Sequence, residues 1–302
     1  MKVIFFAGKG GVGKSTNSAI FSYRAALSGK TVLLNSIDPA HNLHDIFEKK
    51  LSAKPKELAP GLKVMETALS DWVKKYLKET EETFKSVYKY QEAFNLHKYF
   101  KTLRYSPGLE EYAVLLAIKD TLRRYAENDI IVFDTPPTAL TMKFLALPQV
   151  NLLWLEELKK FREMILQKKE IIEKINRGNK TIGGQTDQIL DKLNSMIVEN
   201  SELSEMLKNP EVCSVVLVKN SDSLSLSESA GIITELENLN IPLSKVIVNK
   251  CDEPTSLEEE LRKHLDASGF KNTGISYLSL HCREVTGLDT LRAIELPEDY
   301  LD

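Results

Sequence analysis

Residues 8–16 read Gly-Lys-Gly-Gly-Val-Gly-Lys-Ser-Thr, a glycine-rich segment with two lysines. It follows an apolar run at 3–7 and precedes a helical pattern that starts at Ser15 and continues to about residue 27. A Gly-x4-Gly-Lys-Ser frame between a strand and a helix is the pattern of a P-loop, the phosphate-binding loop of nucleoside-triphosphate-binding proteins. Its glycines let backbone N–H groups converge on phosphate oxygens, and the helix N-terminus adds partial positive charge.

The P-loop residues are the predicted nucleotide-binding residues. We expect Lys14 to reach the β- and γ-phosphates and Ser15 to hold Mg²⁺. Lys9 is an additional cation that an ordinary P-loop does not need, and at this point of the loop it can project outward toward a second molecule. The complete predicted set is Gly8, Lys9, Gly10, Gly11, Val12, Gly13, Lys14, Ser15 and Thr16.

Short β-branched or aromatic runs recur along the chain, with longer helical patterns between them. The predicted strands cover 2–7, 31–36, 62–67, 129–134, 213–219, 244–249 and 274–280. Several are apolar almost throughout, which is typical of strands covered on both faces of a parallel sheet. This alternation predicts a doubly wound, mostly parallel α/β fold. Residues 70–127 and 150–210 contain charged amphipathic helices and no strand pattern, so we expect a helical subdomain inserted within a single domain of residues 1–302.

Two aspartates follow predicted strands, where ligands bind in such sheets. Asp38 opens the segment Asp-Pro-Ala-His-Asn-Leu-His-Asp and can orient the water that attacks the γ-phosphate, or act on Mg²⁺ through water. Asp134 ends the run Ile-Ile-Val-Phe-Asp and matches the carboxylate on the metal side of P-loop enzymes, holding Mg²⁺ directly or through water. The P-loop and the two aspartates together predict a nucleoside triphosphate and Mg²⁺ as the ligands of this site.

The composition bounds the class of protein. The net charge of −3 gives no electrostatic reason to expect nucleic acid or an anionic membrane surface as a partner. No apolar run approaches 18 residues and the chain opens on a core strand, so we expect neither a signal peptide nor a membrane-inserted helix. Three widely spaced cysteines indicate reduced thiols. These features predict a cytoplasmic protein.

The motifs together resemble those of the arsenite-pump and tail-anchored-protein-targeting ATPases, a branch of the deviant-P-loop class that includes the nitrogenase iron protein and the cell-division positioning ATPases. The resemblance rests on the segments at 8–16, 38–45 and 134–138, with weaker support at 106–111, 223–228 and 284–288. It implies a homodimer with nucleotide sandwiched at the interface, in which Lys9 crosses to the partner's phosphates. It also implies that Asp38 polarises the attacking water and that Asp134 senses Mg²⁺ and the γ-phosphate. On this resemblance the predicted catalytic residues are Asp38, Lys9 and Lys14, and the predicted cofactors are ATP and Mg²⁺.

The sequence departs from this family in three ways. It lacks the Cys-x-x-Cys that clasps the targeting ATPases through zinc, so we expect dimerisation to depend on nucleotide. Thr138 is followed by Ala-Leu-Thr instead of Gly-His-Thr, so coupling through that histidine does not carry over. Residues 70–127 and 150–210 contain no cysteine, and soft metalloids favour thiolate ligands, so we expect no family-type metalloid site.

Recognition of the base is ambiguous. Asn249-Lys250-Cys251-Asp252 fits the guanine motif Asn-Lys-x-Asp, in which the aspartate accepts hydrogen bonds from guanine. In the resembled ATPases an asparagine at the position of Asn249 faces adenine without that aspartate. The two switch segments carry the ATPase pattern and favour ATP, while binding of GTP stays open.

The predicted function is ATP hydrolysis coupled to homodimer closure, which drives membrane-protein targeting or chaperone-like handling of an apolar client helix. A helical stripe motivates the client, namely Trp154, Leu158, Phe161 and Ile165, flanked by Leu155 and Leu166. The competing interpretation is that this stripe packs against 84–103. The motifs are also compatible with the ATPase subunit of an arsenite or anion efflux pump, with a nucleotide-gated switch that positions or matures a partner, and with a small-molecule kinase.

Overall fold

The computed structural model describes residues 1–40, 42–87, 106, 108–177, 187–251, 255–279, 285–297 and 300–301. The strands in this part of the chain form one sheet in the order β3-β4-β2-β5-β1-β6-β7-β8. The strands are β1 (Lys2–Ala7), β2 (Val32–Ser36), β3 (Lys56–Ala59), β4 (Leu62–Glu66), β5 (Ile130–Asp134), β6 (Cys213–Asn220), β7 (Leu243–Asn249) and β8 (Gly274–Leu278). All neighbouring pairs are parallel except β3 with β4. The predicted fold class, a mostly parallel α/β sheet, is confirmed.

Helices connect most of these strands. In the described residues they are α1 (Lys14–Leu27), α2 (Leu43–Ile46), α3 (Leu69–Val87), α4 (Leu109–Arg124), α5 (Thr138–Arg177), α6 (Gln188–Lys208), α7 (Ser223–Leu239), α8 (Ser256–Ala267) and α9 (Gly287–Ala293). In these residues no helix is long and apolar enough to cross a membrane.

The seven predicted strands are all present, and the structure adds β3. This strand pairs antiparallel with β4 at the edge of the sheet, and its first two residues, Lys56 and Glu57, are exposed. Its sequence, Lys-Glu-Leu-Ala, has no β-branched or aromatic residue, so it lacks the pattern that marks a strand. The turn at Gly61, with φ of +78°, aligns it beside β4.

Strand β1 lies at the centre of the sheet, between β5 and β6. Every residue of β1 after Lys2 is buried, so both faces of the sheet are covered at this point. Phe5 stacks on Phe133 of β5 with ring centroids 5.0 Å apart, and Phe6 packs against Phe21 of α1. This packing fixes the strand that leads directly into the P-loop.

The chain divides into two compact units. Unit 1 comprises Met1–Leu145 and Leu207–Asp302 and contains the sheet, and unit 2 comprises Ala146–Met206. Within unit 2, the guanidinium of Arg162 donates two hydrogen bonds to the carboxylate of Asp187, at 3.1 and 2.6 Å. That carboxylate also accepts from the backbone N–H of Leu190 and so caps the start of α6.

This division differs from the expected subdomain in its first stretch. The described parts of 70–127 are helical as predicted, but α3 and α4 belong to unit 1. They contact each other through Tyr76 and Tyr112, whose ring centroids lie 4.9 Å apart, and the inner face of α4 is buried in the core of the unit. The long helices of 150–210 correspond closely to unit 2. A single helical subdomain built from both stretches stays a prediction.

Candidate functional site

The P-loop lies between β1 and α1, and close backbone contacts require two of its glycines. Gly8 has a φ of +145°, and a Cβ there would lie 2.1 Å from the carbonyl oxygen of Val218 on β6. Gly13 is the N-cap of α1 with a φ of +94°, and a Cβ there would lie 2.4 Å from Nδ2 of Asn249. The loop therefore packs directly against β6 and the end of β7, with no room for a side chain at either position.

The P-loop lysine is buried and turned onto its own loop. Nζ of Lys14 donates a hydrogen bond to the carbonyl oxygen of Lys9 at 3.2 Å. Burial lowers the pKa of the Lys14 ammonium, and the negative charges of Asp134, Asp38 and Glu228 oppose that shift. The cation thus lies near three carboxylates at the point where the loop meets α1.

Asp134 ends β5 and is completely buried. Its Oδ2 accepts a hydrogen bond from Oγ of Ser36 at 3.1 Å, while its Oδ1 is buried with no hydrogen-bond partner among the described residues. Burial raises the pKa of this carboxyl to about 7, and the negative charge of Asp38 adds to the rise against the opposing effects of Ser15, Lys14 and Ser36. Such a carboxylate has an uncompensated oxygen that a cation would satisfy.

Asp38 follows β2 by two residues and lies at the same edge of the sheet. Ser36 at the end of β2 is in register with Asp134 at the end of β5, and Asp38, two residues further on, is close enough for its charge to act on Asp134. Oδ1 of Asp38 accepts a hydrogen bond from the backbone N–H of Ala40 at 2.9 Å, which holds the segment in a turn. His41 of the same motif lies outside the described residues.

These features fit a magnesium ion bound through few protein ligands. Mg²⁺ usually keeps several waters and takes one or two carboxylates together with substrate phosphates. Asp134 offers an unpartnered carboxylate oxygen, and Ser15 stands beside it at the start of α1. Among the residues that the structure describes, no group of three His, Cys, Asp or Glu side chains could hold a metal by itself.

The segment after Asp134 is tied back to the strand that carries the P-loop. Oγ1 of Thr135 donates to the carbonyl oxygen of Phe6 at 2.7 Å. Oγ1 of Thr141, one turn into α5, lies 3.0 Å from Oγ1 of Thr135 and donates to the carbonyl oxygen of Pro136 at 2.7 Å. Thr141 was not among the predicted residues, because its role depends on where α5 begins after the two prolines.

A cavity of about 570 Å³ brings most of the predicted residues together. It is lined by Gly10, Gly11, Gly13, Lys14, Ser15 and Thr16 of the loop and by Asp38 and Asn249 from the neighbouring strands. Gly8, Val12 and Asp134 are buried and are not part of this lining. Lys9 is half-buried and contributes its carbonyl oxygen to Lys14, so its predicted reach to a second chain stays a prediction.

Asn249 has a structural contact that the sequence did not suggest. Its Nδ2 donates to the carbonyl oxygen of Val12 at 2.8 Å, which joins the end of β7 to the P-loop. Lys250 follows in a left-handed conformation with a φ of 59° and also lines the cavity. Asp252, the residue on which guanine recognition would depend, lies outside the described residues. Val285 and Thr286, part of a weak motif at 284–288, line the cavity as well.

A glycine-dependent loop, a buried lysine and two strand-end carboxylates around one cavity define a P-loop nucleoside triphosphatase. Comparison with known proteins narrows this class. The family model described as "Anion-transporting ATPase" matches residues 1–296, and the chain belongs to this family. The chain is therefore an ATP-hydrolysing enzyme.

Relatives with different names share this family. The protein named "Putative arsenical pump-driving ATPase 1" of Aquifex aeolicus is 28% identical, over 97% of this chain and 78% of its own length. The ATPase GET3 of Meyerozyma guilliermondii is 30% identical, over 97% of this chain and 88% of its own. The ATPase ASNA1 homolog of Entamoeba histolytica is 27% identical, over 97% of this chain and 92% of its own. These matches confirm the resemblance found in the motifs.

Proposed function

We propose that this ATPase couples Mg²⁺-dependent ATP hydrolysis to closure of a homodimer, and that closure drives the handling of an apolar helix during membrane-protein targeting. The unpartnered oxygen of Asp134, a carboxylate that interacts with Ser15, Lys14 and Asp38 of the cavity lining, carries the catalytic part of the proposal. With Ser15 beside it, Asp134 holds the metal, directly or through water. When bound, Mg²⁺ neutralises charge on the β- and γ-phosphates.

The residues around the cavity divide the remaining work. Lys14 leaves the carbonyl of Lys9 and binds the γ-phosphate of the ATP in its own P-loop. Asp38 orients the attacking water, and Asn249 borders the base. Lys9 reaches the phosphates of the partner molecule, as a trans-acting cation does in related phosphoryl-transfer enzymes. Hydrolysis then requires closure, because the second cation is supplied only across the interface.

An exposed apolar stripe on α5 supports the client part of the proposal. Trp154 is 69% exposed, Leu158 49% and Phe161 59%, and Ile165 continues the same face. Leu155, expected on the flank of this stripe, is instead buried. Large apolar residues exposed together are unusual on a protein surface and mark a docking face for an amphipathic or apolar helix. The competing partner is the segment 84–103. Residues 84–87 belong to α3 but their side chains are not described, and 88–103 lie outside the described residues.

The homodimer is tested by mass measurement in solution with Asp38→Asn and ATP. We expect the variant to bind ATP without turning it over, and so to persist as a dimer, whereas the wild type with ADP reverts to the monomer. Asp266→Asn, an exposed substitution on α8, is the matched control and should behave as the wild type. A monomeric mass for Asp38→Asn with ATP saturating would contradict closure on nucleotide.

The client is tested with a labelled peptide that corresponds to one apolar membrane-spanning helix. Phe161→Ser and Trp154→Ser should each weaken its binding in the presence of ATP by about ten-fold or more, as expected for buried aromatic anchors. Lys168→Ser removes an exposed charge from the same helix and should leave binding unchanged. Equal binding by all three variants would contradict a client site on this stripe.

The name of the Aquifex relative favours a second function, the ATPase subunit of an arsenical efflux pump. The described cysteines give it no support, since Cys213 lies at the start of β6 and Cys251 beyond the end of β7, both buried. Burial also raises the pKa of Cys213 to about 12, which disfavours the thiolate that a metalloid needs. ATPase activity should therefore not respond to arsenite or antimonite, and stimulation by either would favour the pump.

A further inference from the structure

Helix α9 and the segment that follows it pack on α1, the helix that begins at the P-loop. Leu291, Ile294 and Tyr300 are all buried there. Arg24 near the end of α1 donates hydrogen bonds to the carbonyl oxygens of Arg292 and Ile294. The contact is thus anchored at the far end of α1 by Arg24, while Tyr300 reaches the end nearest the loop.

The hydroxyl of Tyr300 contacts a single polar side chain of α1. It donates a hydrogen bond to Oδ1 of Asn17 at 2.9 Å and lies 3.3 Å from the backbone oxygen of the same residue. Both side chains are buried, and burial raises the pKa of the Tyr300 phenol, so the group is a neutral donor. A hydroxyl buried this deeply is costly unless it is paired.

Asn17 connects Tyr300 to the P-loop through a second set of hydrogen bonds. Its Nδ2 donates to the carbonyl oxygen of Gly13 at 2.9 Å, and its backbone N–H donates to the same oxygen at 2.9 Å. The carbonyl of Gly13 can only accept, so the amide must present Nδ2 to it and Oδ1 to Tyr300. If the amide turned over, two acceptor oxygens would face each other. The carbonyl of Gly13 therefore selects the orientation of the amide, and the hydroxyl of Tyr300 stabilises that orientation by donating to Oδ1.

The orientation of this carbonyl determines where the next donor points. In a trans peptide the C=O and N–H point in opposite directions, so holding the Gly13 carbonyl sets the direction of the Lys14 N–H. That N–H is one of the unpaired donors at the start of α1, which are the groups available to a phosphate. On the other side of the loop, Asn249 holds the carbonyl of Val12 in the same way. Two asparagines thus fix two successive peptides of the P-loop, and Tyr300 supports one of them.

We propose that Tyr300 is a positioning residue for phosphate binding, which acts through Asn17 on the peptide between Gly13 and Lys14. It does not touch the nucleotide. This inference rests on the P-loop cavity being the nucleotide site of the proposed function and adds a determinant of its affinity. It needs neither the homodimer nor a client.

The test is Tyr300→Phe, which removes the hydroxyl and keeps the ring that fills the core. We expect the Kd for ATP to rise about five-fold, the size of one intramolecular hydrogen bond. Because the lost positioning acts on bound substrate and transition state alike, KM should rise by the same factor while kcat stays unchanged. Tripolyphosphate, which has no base or sugar, should lose affinity by the same factor.

Thr273→Val is the matched control. It also removes one buried hydroxyl, which donates to the carbonyl oxygen of Leu243 at 2.9 Å, at the end of β7 opposite the cavity. This variant should lower the melting temperature about as much as Tyr300→Phe does and leave the Kd for ATP unchanged. Asn17→Leu removes the intermediate amide, and in that background Tyr300→Phe should add no further loss of affinity.

An unchanged Kd in Tyr300→Phe would overturn the inference, and so would an equal loss in Thr273→Val. If Asn17→Leu does not fold, the comparison of Tyr300→Phe with Thr273→Val on tripolyphosphate decides by itself. The wild type measured in the same titration distinguishes a failure of the nucleotide site from a failure of the positioning role. Failure of the wild type to bind ATP would refute the nucleotide site, whereas wild-type binding with an unaffected Tyr300→Phe would refute the positioning role alone.

Discussion

Asp134 makes the stability of the nucleotide-free protein depend on pH in a direction unusual for a carboxylate. Burial raises its pKa from 3.8 in an unfolded chain to about 7 in the fold. Between these values the folded chain keeps a proton that the unfolded chain has lost, so the free energy of unfolding falls as the pH rises through this range. Above pH 7 the fold contains an ionised carboxylate with one unpartnered oxygen.

Asp134→Asn removes this charge and keeps a side chain of similar shape. A shift of about 3 pH units at about 1.4 kcal/mol each is worth about 4 kcal/mol. For 302 residues, an unfolding entropy of about 2 cal/mol/K per residue converts this to about 6 °C in melting temperature. We expect the metal-free variant to melt up to about 6 °C above the wild type at pH 8 and at the same temperature as the wild type near pH 4.

Thermal unfolding followed by circular dichroism at several pH values, with chelator present, measures this difference. Asp266→Asn, which removes an exposed carboxylate, should track the wild type throughout. A melting-temperature difference between Asp134→Asn and the wild type that stays constant from pH 4 to pH 8 would refute the argument. Mg²⁺ with ATP should also release a proton from the wild type below pH 7, so the heat of binding should depend on the ionisation enthalpy of the buffer.

Three further predictions concern Lys219, Gly8 and Lys9. Lys219→Met should destabilise the fold by about 3–5 kcal/mol in urea unfolding, because it leaves the buried Glu258 without the ammonium now 2.9 Å away. Replacing both Lys219 and Glu258 by apolar residues should recover most of that loss. Burial alone would raise the pKa of Glu258, but hydrogen bonds from Thr255 and Lys219 lower it to about 2. The wild-type pair should therefore lose its contribution to stability as the pH falls from about 5 to about 2. This loss should be visible as acid unfolding of the wild type that the double variant lacks. Gly8→Ala should abolish ATP binding in calorimetry, since its Cβ would lie 2.1 Å from the backbone oxygen of Val218 on β6. Retained affinity would mean that β6 can move away to make room for the methyl group. Lys9→Ala should lower kcat by a factor on the order of 10³ or more and change the Kd for ATP only a few-fold, and equal losses in both would contradict a trans role.

The sequence predicted the sheet because its central strands are apolar on both faces. The run Ile-Ile-Val-Phe-Asp at β5 and the run before the P-loop each identify a buried parallel strand and its ligand-binding end at once. Strand β3 was not predicted, because it is held in place by the turn at Gly61 and by pairing with β4, and its own residues carry no strand pattern.

The site was predictable where residues close in sequence carry the chemistry, as in the P-loop and the segments after β2 and β5. Contacts that join distant residues left no trace in the sequence. Tyr300 and Asn17 are 283 positions apart, and Asn249 and Val12 are 237 apart. The pattern around Asn249 predicts contact with a base, which stays a prediction, but it gave no sign that the amide nitrogen holds a loop carbonyl. Such roles depend on how the sheet brings strand ends and helices together, which no local pattern encodes.

The hydrogen bond from Lys14 to the carbonyl of Lys9 has a consequence for the empty enzyme. Because the ammonium has an acceptor within its own loop, departure of the nucleotide leaves neither a buried cation without a partner nor a loop without support. ADP can therefore leave and ATP enter without the loop first having to refold. In the proposed homodimer, the opening of the interface should then limit the rate of nucleotide exchange.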